Sequence, residues 1–279
     1  MTVTAHLFAA AALFVSLPVA SAWAEPLVLE GRVEASRSAV VSSRLDGVVN
    51  DILFEGGERV SAGQALISLD PTDFEFALAA AQAKVRQAQA TLDGARREAG
   101  RQEVLSERGV TTDAAFGRTM TALAAAEADL ALAETERDRA ALDLQRTVVR
   151  APISGYITRP ATVMGAYLAA DSGVPLATIM TLDPAVVAYQ APYADRLSLL
   201  EETGSPDVEA LLERIRISLV LPGNRQYAVE ATPEAASPQV DPQTGTVTVW
   251  ASFPNPDALL RPGMRLTVLS DVTDDGAEQ

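Results

Sequence analysis

The ionisable and nucleophilic side chains of this sequence form no recognisable catalytic arrangement. There is no cysteine and the only histidine is His6, so disulfides, cysteine nucleophiles and thiolate metal sites are excluded. Histidine-dependent catalysis and the usual histidine metal sites are likewise excluded for residues 25–279. Ser154 lies outside any G-x-S-x-G frame and has no histidine base to activate it. We therefore expect no enzymatic activity.

Two other groups of residues that resemble chemical sites favour structural roles. Gly56, Gly57 and Gly63 belong to no GxxxxGK[ST] loop, and their spacing is typical of turns between strands. The acidic residues of 134–138 lie within a predicted helix and indicate a solvated face. The five methionines are scattered along the chain, so no soft-metal cluster is predicted. No cofactor and no metal site is expected.

Length, charge and the first residues limit the possible classes further. A chain of 279 residues is long enough for two or three domains. The formal net charge of -15 argues against nucleic acid as a partner and against charge-driven binding to an anionic membrane. Residues 1–24 end in Ala22-Trp23-Ala24 after an apolar run, which predicts a signal peptide. An uncleaved anchor is the alternative, since about 20 apolar residues can span a bilayer.

The strongest pattern is a heptad repeat over residues 71–146, which predicts two long helices folded back on each other. Apolar or small residues recur at alternating spacings of three and four, and such a seam must face a partner helix to leave water. The seam consists of Leu78, Ala81, Val85, Ala88, Leu92, Ala95 and Ala99, then Phe116, Thr119, Leu123, Ala126, Leu130, Ala133, Ala140 and Leu144. Each arm of about 35 residues would extend roughly 50 Å. Between the arms, Gly109 suits a helix C-terminus, and Thr111 or Thr112 suits the next N-cap.

The segments on either side of the hairpin repeat one another. Gly47 and Gly57 are ten residues apart, as are Gly155 and Gly165. The repeat predicts short strands separated by glycine turns, and two such halves can pair into a small flattened barrel. The two predicted halves are residues 37–70 and residues 147–182.

The remaining segments are predicted to be rich in β-structure. Residues 25–36 form a strand that joins a small barrel of residues 183–270, and residues 271–279 form an acidic tail. Helical spacing occurs at Pro192–Glu202, which Gly204 closes, and at Pro206–Arg214. Strands are predicted at Ile215–Leu221, Tyr227–Thr232 and Thr246–Phe253.

Two motifs resemble the biotinyl/lipoyl domain: A-P-x-x-G-Y-I from Ala151 and G-G-E-R-V-x-x-G-Q-x-L from Gly56. A domain of this kind that is split by a helical hairpin resembles the periplasmic adaptors, or membrane fusion (HlyD) family. The barrel segment, with Phe253-Pro254-Asn255-Pro256, resembles that of adaptors for resistance-nodulation-division (RND) pumps. The implied fold class is α+β: a split lipoyl-like β domain interrupted by an antiparallel coiled-coil hairpin, then a small β-barrel.

The resemblance also bears on cofactors and on domain content. Carrier domains place a modifiable lysine at the turn between their halves, but here the hairpin replaces that turn, and the sequence reads Asp70-Pro71. The only lysine, Lys84, lies within the first arm, so no cofactor attachment is expected. In the RND subfamily a membrane-proximal domain usually follows the barrel, and it is expected to be short or absent here.

The resemblance places a docking site at the hairpin tip. In RND-type adaptors a motif of the form R-L-x-x-L, then S, then D-x-A contacts the outer-membrane channel. Arg101 and Leu105 match this motif, and Thr112 replaces the serine. The motif is not matched at Gln102, Gly117 and Thr119, where leucine, aspartate and alanine are usual. The alternative is that Leu105 closes the hairpin core and Thr112 only caps a helix, whereas the Arg101 cation gains most from an external acceptor.

The resemblance implies a periplasmic adaptor subunit of a tripartite RND-type efflux system, associated with the inner membrane. Its expected partners are an inner-membrane transporter, a TolC-type outer-membrane channel and further copies of itself in a ring, trimeric or hexameric. Within the same class, the alternative is an adaptor for an ABC exporter or a secretion system. From another class, the alternative is an exported coiled-coil scaffold or binding protein without a transport role.

Overall fold

The computed structural model describes residues 27–170 and 173–273. The predicted signal peptide and residues 274–279 of the predicted acidic tail lie outside the described residues. The described strands and helices are, in chain order, β1 (Leu27–Val41), β2 (Gly47–Ile52), β3 (Arg59–Val60), β4 (Ala65–Leu69), α1 (Thr72–Glu107), α2 (Asp113–Arg146), β5 (Val148–Arg150), β6 (Gly155–Ile157), β7 (Tyr167–Leu168), β8 (Ala177–Pro192), α3 (Tyr193–Thr203), α4 (Val208–Arg214), β9 (Ile215–Leu221), β10 (Arg225–Gln226), β11 (Pro233–Ala236), β12 (Thr246–Phe253) and β13 (Arg265–Val272).

The described residues divide into two compact units. The hairpin unit comprises residues 32–188 and 251–264, and the small unit comprises residues 27–31, 189–250 and 265–273. Within the described ranges, the helices all lack the combination of length and hydropathy that a membrane crossing requires.

Helices α1 and α2 pack against each other along the predicted heptad seam. Every predicted seam residue is buried or half-buried, and Leu92 is 1% exposed. Two ion pairs join the arms, one between Lys84 and Glu136 at 2.8 Å and one between Arg96 and Glu127 at 3.6 Å. Lys84 precedes Arg96 along α1, whereas its partner Glu136 follows Glu127 along α2, so the helices run antiparallel. The predicted helical hairpin is confirmed.

The strands of the hairpin unit interleave the two predicted halves. One sheet has the order β5-β4-β2-β7, and β3 pairs with β6, which also pairs with β8. Across the halves, β4 pairs with β5, β2 with β7 and β3 with β6, all antiparallel. Their inward side chains form one apolar core that includes Val49, Leu66, Ile67 and Ile179. Neither half has a sheet of its own, so the repeat in the sequence describes two complementary parts of one domain.

Asn255 fastens the segment after β12 within the hairpin unit. Its side-chain amide donates to the carbonyl oxygens of Leu182 (2.8 Å) and Leu260 (2.9 Å), and its Oδ1 accepts from the Leu260 amide (3.0 Å). Its own backbone amide donates to Asp183 Oδ1 at 2.8 Å. These bonds explain why residues 251–264, predicted as part of the barrel of residues 183–270, contact the hairpin unit.

The small unit contains the predicted helices, the predicted strand β9 and the first five residues of β12. Helix α3 ends at Thr203 and is capped by Gly204, which has a left-handed φ of 62°, and α4 ends at Arg214. Strand β9 pairs antiparallel with β13 and with β10. Strands β9 and β12 have the bounds that the sequence predicts, and buried residues alternate with less buried ones along β12 and along the first five residues of β9.

The strand predicted at Tyr227–Thr232 is wrong. The Tyr227 amide donates to Leu219, and Ala231 forms a bridge with Ile217. Four residues thus cover the distance that two residues of β9 cover, so the segment bulges out and cannot maintain a ladder. The next strand along the chain after β10 is β11.

Candidate functional site: the hairpin tip

The chain reverses direction at the tip through a tightly bonded turn. Gly109 has a φ of 70°, a conformation that favours glycine. Its amide donates to the Ser106 carbonyl, and the Val110 amide donates to the Leu105 carbonyl, both at 2.9 Å. This pair of bonds is the Schellman arrangement that ends a helix. The turn therefore has a fixed geometry.

Helix α2 begins with the N-cap that the sequence predicts at Thr112. Thr112 has extended backbone angles, and its side-chain oxygen accepts from the Ala115 amide at 3.2 Å. Asp113 follows in the first turn, where a negative charge faces the positive end of the helix. The preceding Thr111 donates its hydroxyl to Gln102 Oε1 at 3.1 Å, which joins the turn to α1.

Arg101 has an acceptor within its own helix. The guanidinium is exposed and forms an ion pair with Glu98, one turn earlier. Gln102 donates to the other oxygen of Glu98 at 3.1 Å. The pKa of Glu98 is lowered, first by the hydrogen bond from Gln102 and then by Arg101. The interpretation that Arg101 depends on an external acceptor missed this internal one.

The alternative for these two residues agrees with the structure in one part: Thr112 caps α2, whereas Leu105 is not among the buried residues of α1. Its side chain is 36% exposed, and two neighbours that the sequence reasoning missed are more exposed, Val104 at 44% and Val110 at 71%. We call Val104, Leu105 and Val110 the apolar tip. The motif positions Arg101, Leu105 and Thr112 thus lie within three turns of the hairpin end, but only Leu105 presents an unbonded surface.

A shallow groove of about 460 Å³ lies between α1 and α2 just below the tip. Half of its lining residues are glycine or alanine, and the other half are polar: Glu98, Gln102, Arg118 and Thr119. Gly117 and Thr119, which differ from the family motif, lie within α2 and not at the turn itself, and Thr119 lines the groove. In the described ranges, acidic and histidine side chains form no group of three or more placed to hold a metal ion. The tip is suited to binding a protein surface.

Comparison with known proteins gives two matches to protein-family models. The barrel-sandwich hybrid domain of RND membrane fusion proteins matches residues 37–180, and the β-barrel domain of these proteins matches residues 179–274. The first match contains both halves and the hairpin between them. The order of the two matches confirms the predicted fold class.

Relatives of known name are similar over most of the chain. The multidrug resistance protein MdtE of Escherichia coli K12 is 29% identical over 243 residues, which cover 87% of this chain and 63% of MdtE. The solvent efflux pump periplasmic linker SrpA of Pseudomonas putida is 32% identical over 237 residues, which cover 85% of this chain and 58% of SrpA. The chain thus spans less than two thirds of the length of these relatives.

A solved structure shares the fold. A MacA–MexA chimera that contains the α-hairpin domain of Pseudomonas aeruginosa MexA matches with a TM-score of 0.60 at 16% identity. The match covers 90% of this chain and 80% of the chimera.

Proposed function

Because the chain belongs to the RND membrane fusion protein family, we propose that it is the periplasmic adaptor subunit of a tripartite RND-type efflux system. In this role it links an inner-membrane transporter to an outer-membrane channel, through which small molecules are exported. The observation on which the proposal depends most is the hairpin: two helices of 36 and 34 residues end in an exposed apolar turn. A coiled coil of this length, about 50 Å, is much longer than packing against its own β domain would require.

The names of the relatives support the same role. MdtE is a multidrug resistance protein, and SrpA is the periplasmic linker of a solvent efflux pump. The hairpin occupies the place where a carrier domain would have its modifiable lysine, and Lys84 instead pairs with Glu136 across the arms. A structural link between proteins is therefore a better assignment than a cofactor carrier.

The proposal includes location, partners and assembly. The chain works in the periplasm beside the inner membrane, and several copies form a ring around the exported solute. The hairpin tip, with Arg101, Leu105 and Thr112, docks on an outer-membrane channel. No catalytic role is assigned, since the sequence has no cysteine and only His6 as histidine.

Site-specific photo-crosslinking in intact cells tests the proposal, and the absence of native cysteine makes single-cysteine variants possible. Ala114→Cys lies at the tip, and the matched control Ala90→Cys lies in the middle of α1; both alanines are exposed. Each variant receives a cysteine-linked photo-crosslinker, and adducts are identified by mass spectrometry. Position 114 should capture an outer-membrane channel, and position 90 should not.

Other outcomes separate the alternatives. If position 114 captures only further copies of this chain or nothing, the channel-docking role is wrong, and the exported-scaffold alternative is favoured. If the complex contains an ATPase in place of a transporter with many membrane spans, the chain serves an ABC exporter. Deletion of the gene should raise solute accumulation, and unchanged accumulation would contradict a transport role.

A further inference from the structure

A polar pocket lies in the small unit, near the end of β8 and beside the loop that leads into β12. Its volume is about 380 Å³, within the range of about 300–1,000 Å³ that is usual for small-molecule sites. The lining consists of three glutamines, two threonines, one serine, one aspartate and Pro242. Most small-molecule sites are lined mainly by apolar side chains, so this pocket suits an unusually polar ligand.

A directed chain of hydrogen bonds runs through the side chains of the pocket. The Thr246 hydroxyl donates to Gln190 Oε1 at 2.7 Å, and Gln190 Nε2 donates to the Thr248 hydroxyl oxygen at 3.2 Å. Because the single hydroxyl hydrogen of Thr246 is used on Gln190, Thr244 is the donor in its 2.7 Å bond with Thr246. The chain ends at the Thr248 hydroxyl hydrogen, which has no acceptor among the described residues. Bonds in such a series polarise one another, so Thr248 offers the pocket a strengthened donor.

The loop of residues 241–245 supplies acceptors and further donors. Asp241 Oδ1 accepts from the backbone amides of Gln243 (2.8 Å) and Thr244 (3.4 Å), which fixes the loop. Asp241 Oδ2 accepts no hydrogen bond within the described part of the chain, and the carboxamides of Gln239 and Gln243 have no partner there. The pocket therefore presents free donors and free acceptors on a backbone that a ligand does not need to reorder.

The chemistry of these groups selects one class of ligand. An anion is disfavoured, because Asp241 is the only charged residue of the lining and is negative. A divalent cation requires several oxygen ligands, and the described acidic residues form no group of three or more that could hold one. An apolar solute would remove the free amide and hydroxyl groups from water without pairing them. Sugar hydroxyl groups both donate and accept, so a neutral sugar can pair with both kinds of free group.

We propose that this pocket binds a neutral sugar or a segment of a neutral sugar chain. The carboxamides of Gln239 and Gln243 and the free oxygen of Asp241 contact the sugar hydroxyl groups. Gln190 is a positioning residue, because its bonds to Thr246 and Thr248 orient the donor that Thr248 offers. The inference goes beyond the proposed adaptor function and does not depend on it.

Saturation-transfer NMR on the purified full-length chain tests the proposal, with maltose, cellobiose and chitobiose as probes. At least one of these neutral disaccharides should receive saturation from the protein. Gln239→Ala and Gln243→Ala should each raise its Kd about fivefold, because each removes one hydrogen bond to the sugar. Both side chains are exposed, so both variants should unfold at the Tm of the parent. Gln226→Ala is the matched control and should leave the Kd unchanged, since Gln226 is an exposed glutamine on β10 that does not line the pocket.

Asp241→Asn separates the charge of the pocket from the structure of its loop. The asparagine oxygen can still accept from the amides of Gln243 and Thr244, but an amide donor replaces the free Oδ2. The Kd of the neutral disaccharide should rise about tenfold, because a hydrogen bond to a charged acceptor is stronger than a neutral one. Glucuronate should bind this variant more tightly than it binds the parent, because the repulsion between two carboxylates is removed.

Three results would overturn the proposal. The first is that none of the disaccharides receives saturation, or that glucuronate binds the parent more tightly than they do. The second is that a disaccharide binds but all three pocket substitutions leave its Kd at the parent value, which would place the sugar elsewhere. The third is that triserine, a neutral polar peptide, binds in a way that depends on Gln243 while the sugars do not bind, which would assign the pocket to a polypeptide. Capture of an outer-membrane channel from Ala114→Cys tests the adaptor function separately from all of these results.

Discussion

Asn255 should be one of the most sensitive positions of the hairpin unit. The residue is 1% exposed, and its side chain satisfies two carbonyl groups and one amide from Leu182 and Leu260. Asn255→Ala would leave these three buried backbone groups without their partners. Each buried group without a hydrogen-bond partner lowers the free energy of unfolding by about 1–3 kcal/mol if no water reaches it. Water that enters the vacated space reduces the cost, so we expect a loss of about 3 kcal/mol.

The variant Asn255→Asp tests the same hydrogen bonds independently, through the pH dependence of its stability. A carboxylate keeps the acceptor for the Leu260 amide but places a negative charge against two carbonyl oxygens. Protonation would supply a donor for one of them, so the folded state should favour the protonated acid. Stability of this variant should therefore rise as the pH is lowered from 7 towards 4, the opposite of the usual effect of acid.

Urea unfolding followed by circular dichroism at 222 nm measures both effects, because α1 and α2 belong to the same unit as Asn255. Asn50→Ala is the matched control: Asn50 is exposed and bonds only to the neighbouring Asp51, at 2.8 Å, so we expect a change below about 0.5 kcal/mol. If Asn255→Ala unfolds at the same urea concentration as Asn50→Ala, the reasoning about the buried bonds is refuted.

Three other perturbations have expected outcomes. Gly155→Ala should destabilise the hairpin unit by about 1–3 kcal/mol in urea unfolding, because a Cβ there would lie 2.5 Å from a carbonyl oxygen of β8; an unchanged midpoint would contradict this close approach. The pKa of Asp70 is lowered from 3.8 by hydrogen bonds from the Thr72 hydroxyl and then the Thr72 amide, so its carboxylate stabilises the folded state above pH 3.8 and this contribution is lost as the pH falls through the lowered pKa. The difference in Tm between the parent and Asp70→Asn should accordingly narrow below pH 3.8, and a constant difference would argue against it. A double-mutant cycle on the exposed pair Lys84 and Glu136 should give a coupling of about 0.5 kcal/mol or less that decreases in high salt, and a coupling well above 1 kcal/mol would be inconsistent with an exposed pair.

The parts of the fold that the sequence predicts well depend on local periodicity. The seam of the hairpin follows from alternating spacings of three and four, and the bounds of β9 and β12 follow from short β-rich runs in which apolar and polar side chains largely alternate. At Tyr227–Thr232 the composition favours a strand, but the register against β9 forces a bulge. Register depends on the partner strand, which a single segment does not reveal.

The interactions of Asn255 show a second limit. The sequence suggests that Phe253-Pro254-Asn255-Pro256 is a barrel segment, yet the hydrogen bonds of Asn255 join it to Leu182 and Asp183 within β8, more than seventy residues earlier. A buried asparagine has no periodicity that would identify its partners. A buried polar residue can join distant segments only when the fold places their backbone groups around it.

At the hairpin tip, local periodicity predicts which residues are buried, whereas the exposed residues become evident only from the end of the hairpin. Continued past Ala99, the heptad spacing falls on Gln102 and Ser106, and both are half-buried. Val104 and Leu105 therefore lie off the seam, where a coiled coil is usually polar. An apolar side chain off the seam gains nothing from the partner helix, and at the far end of a hairpin there is no other element to cover it. Off-seam apolar residues at a helical turn are thus the sequence signal for an exposed apolar surface. Alignment with the motif alone recovered Leu105 but missed Val104 and Val110, because neither stands at a motif position.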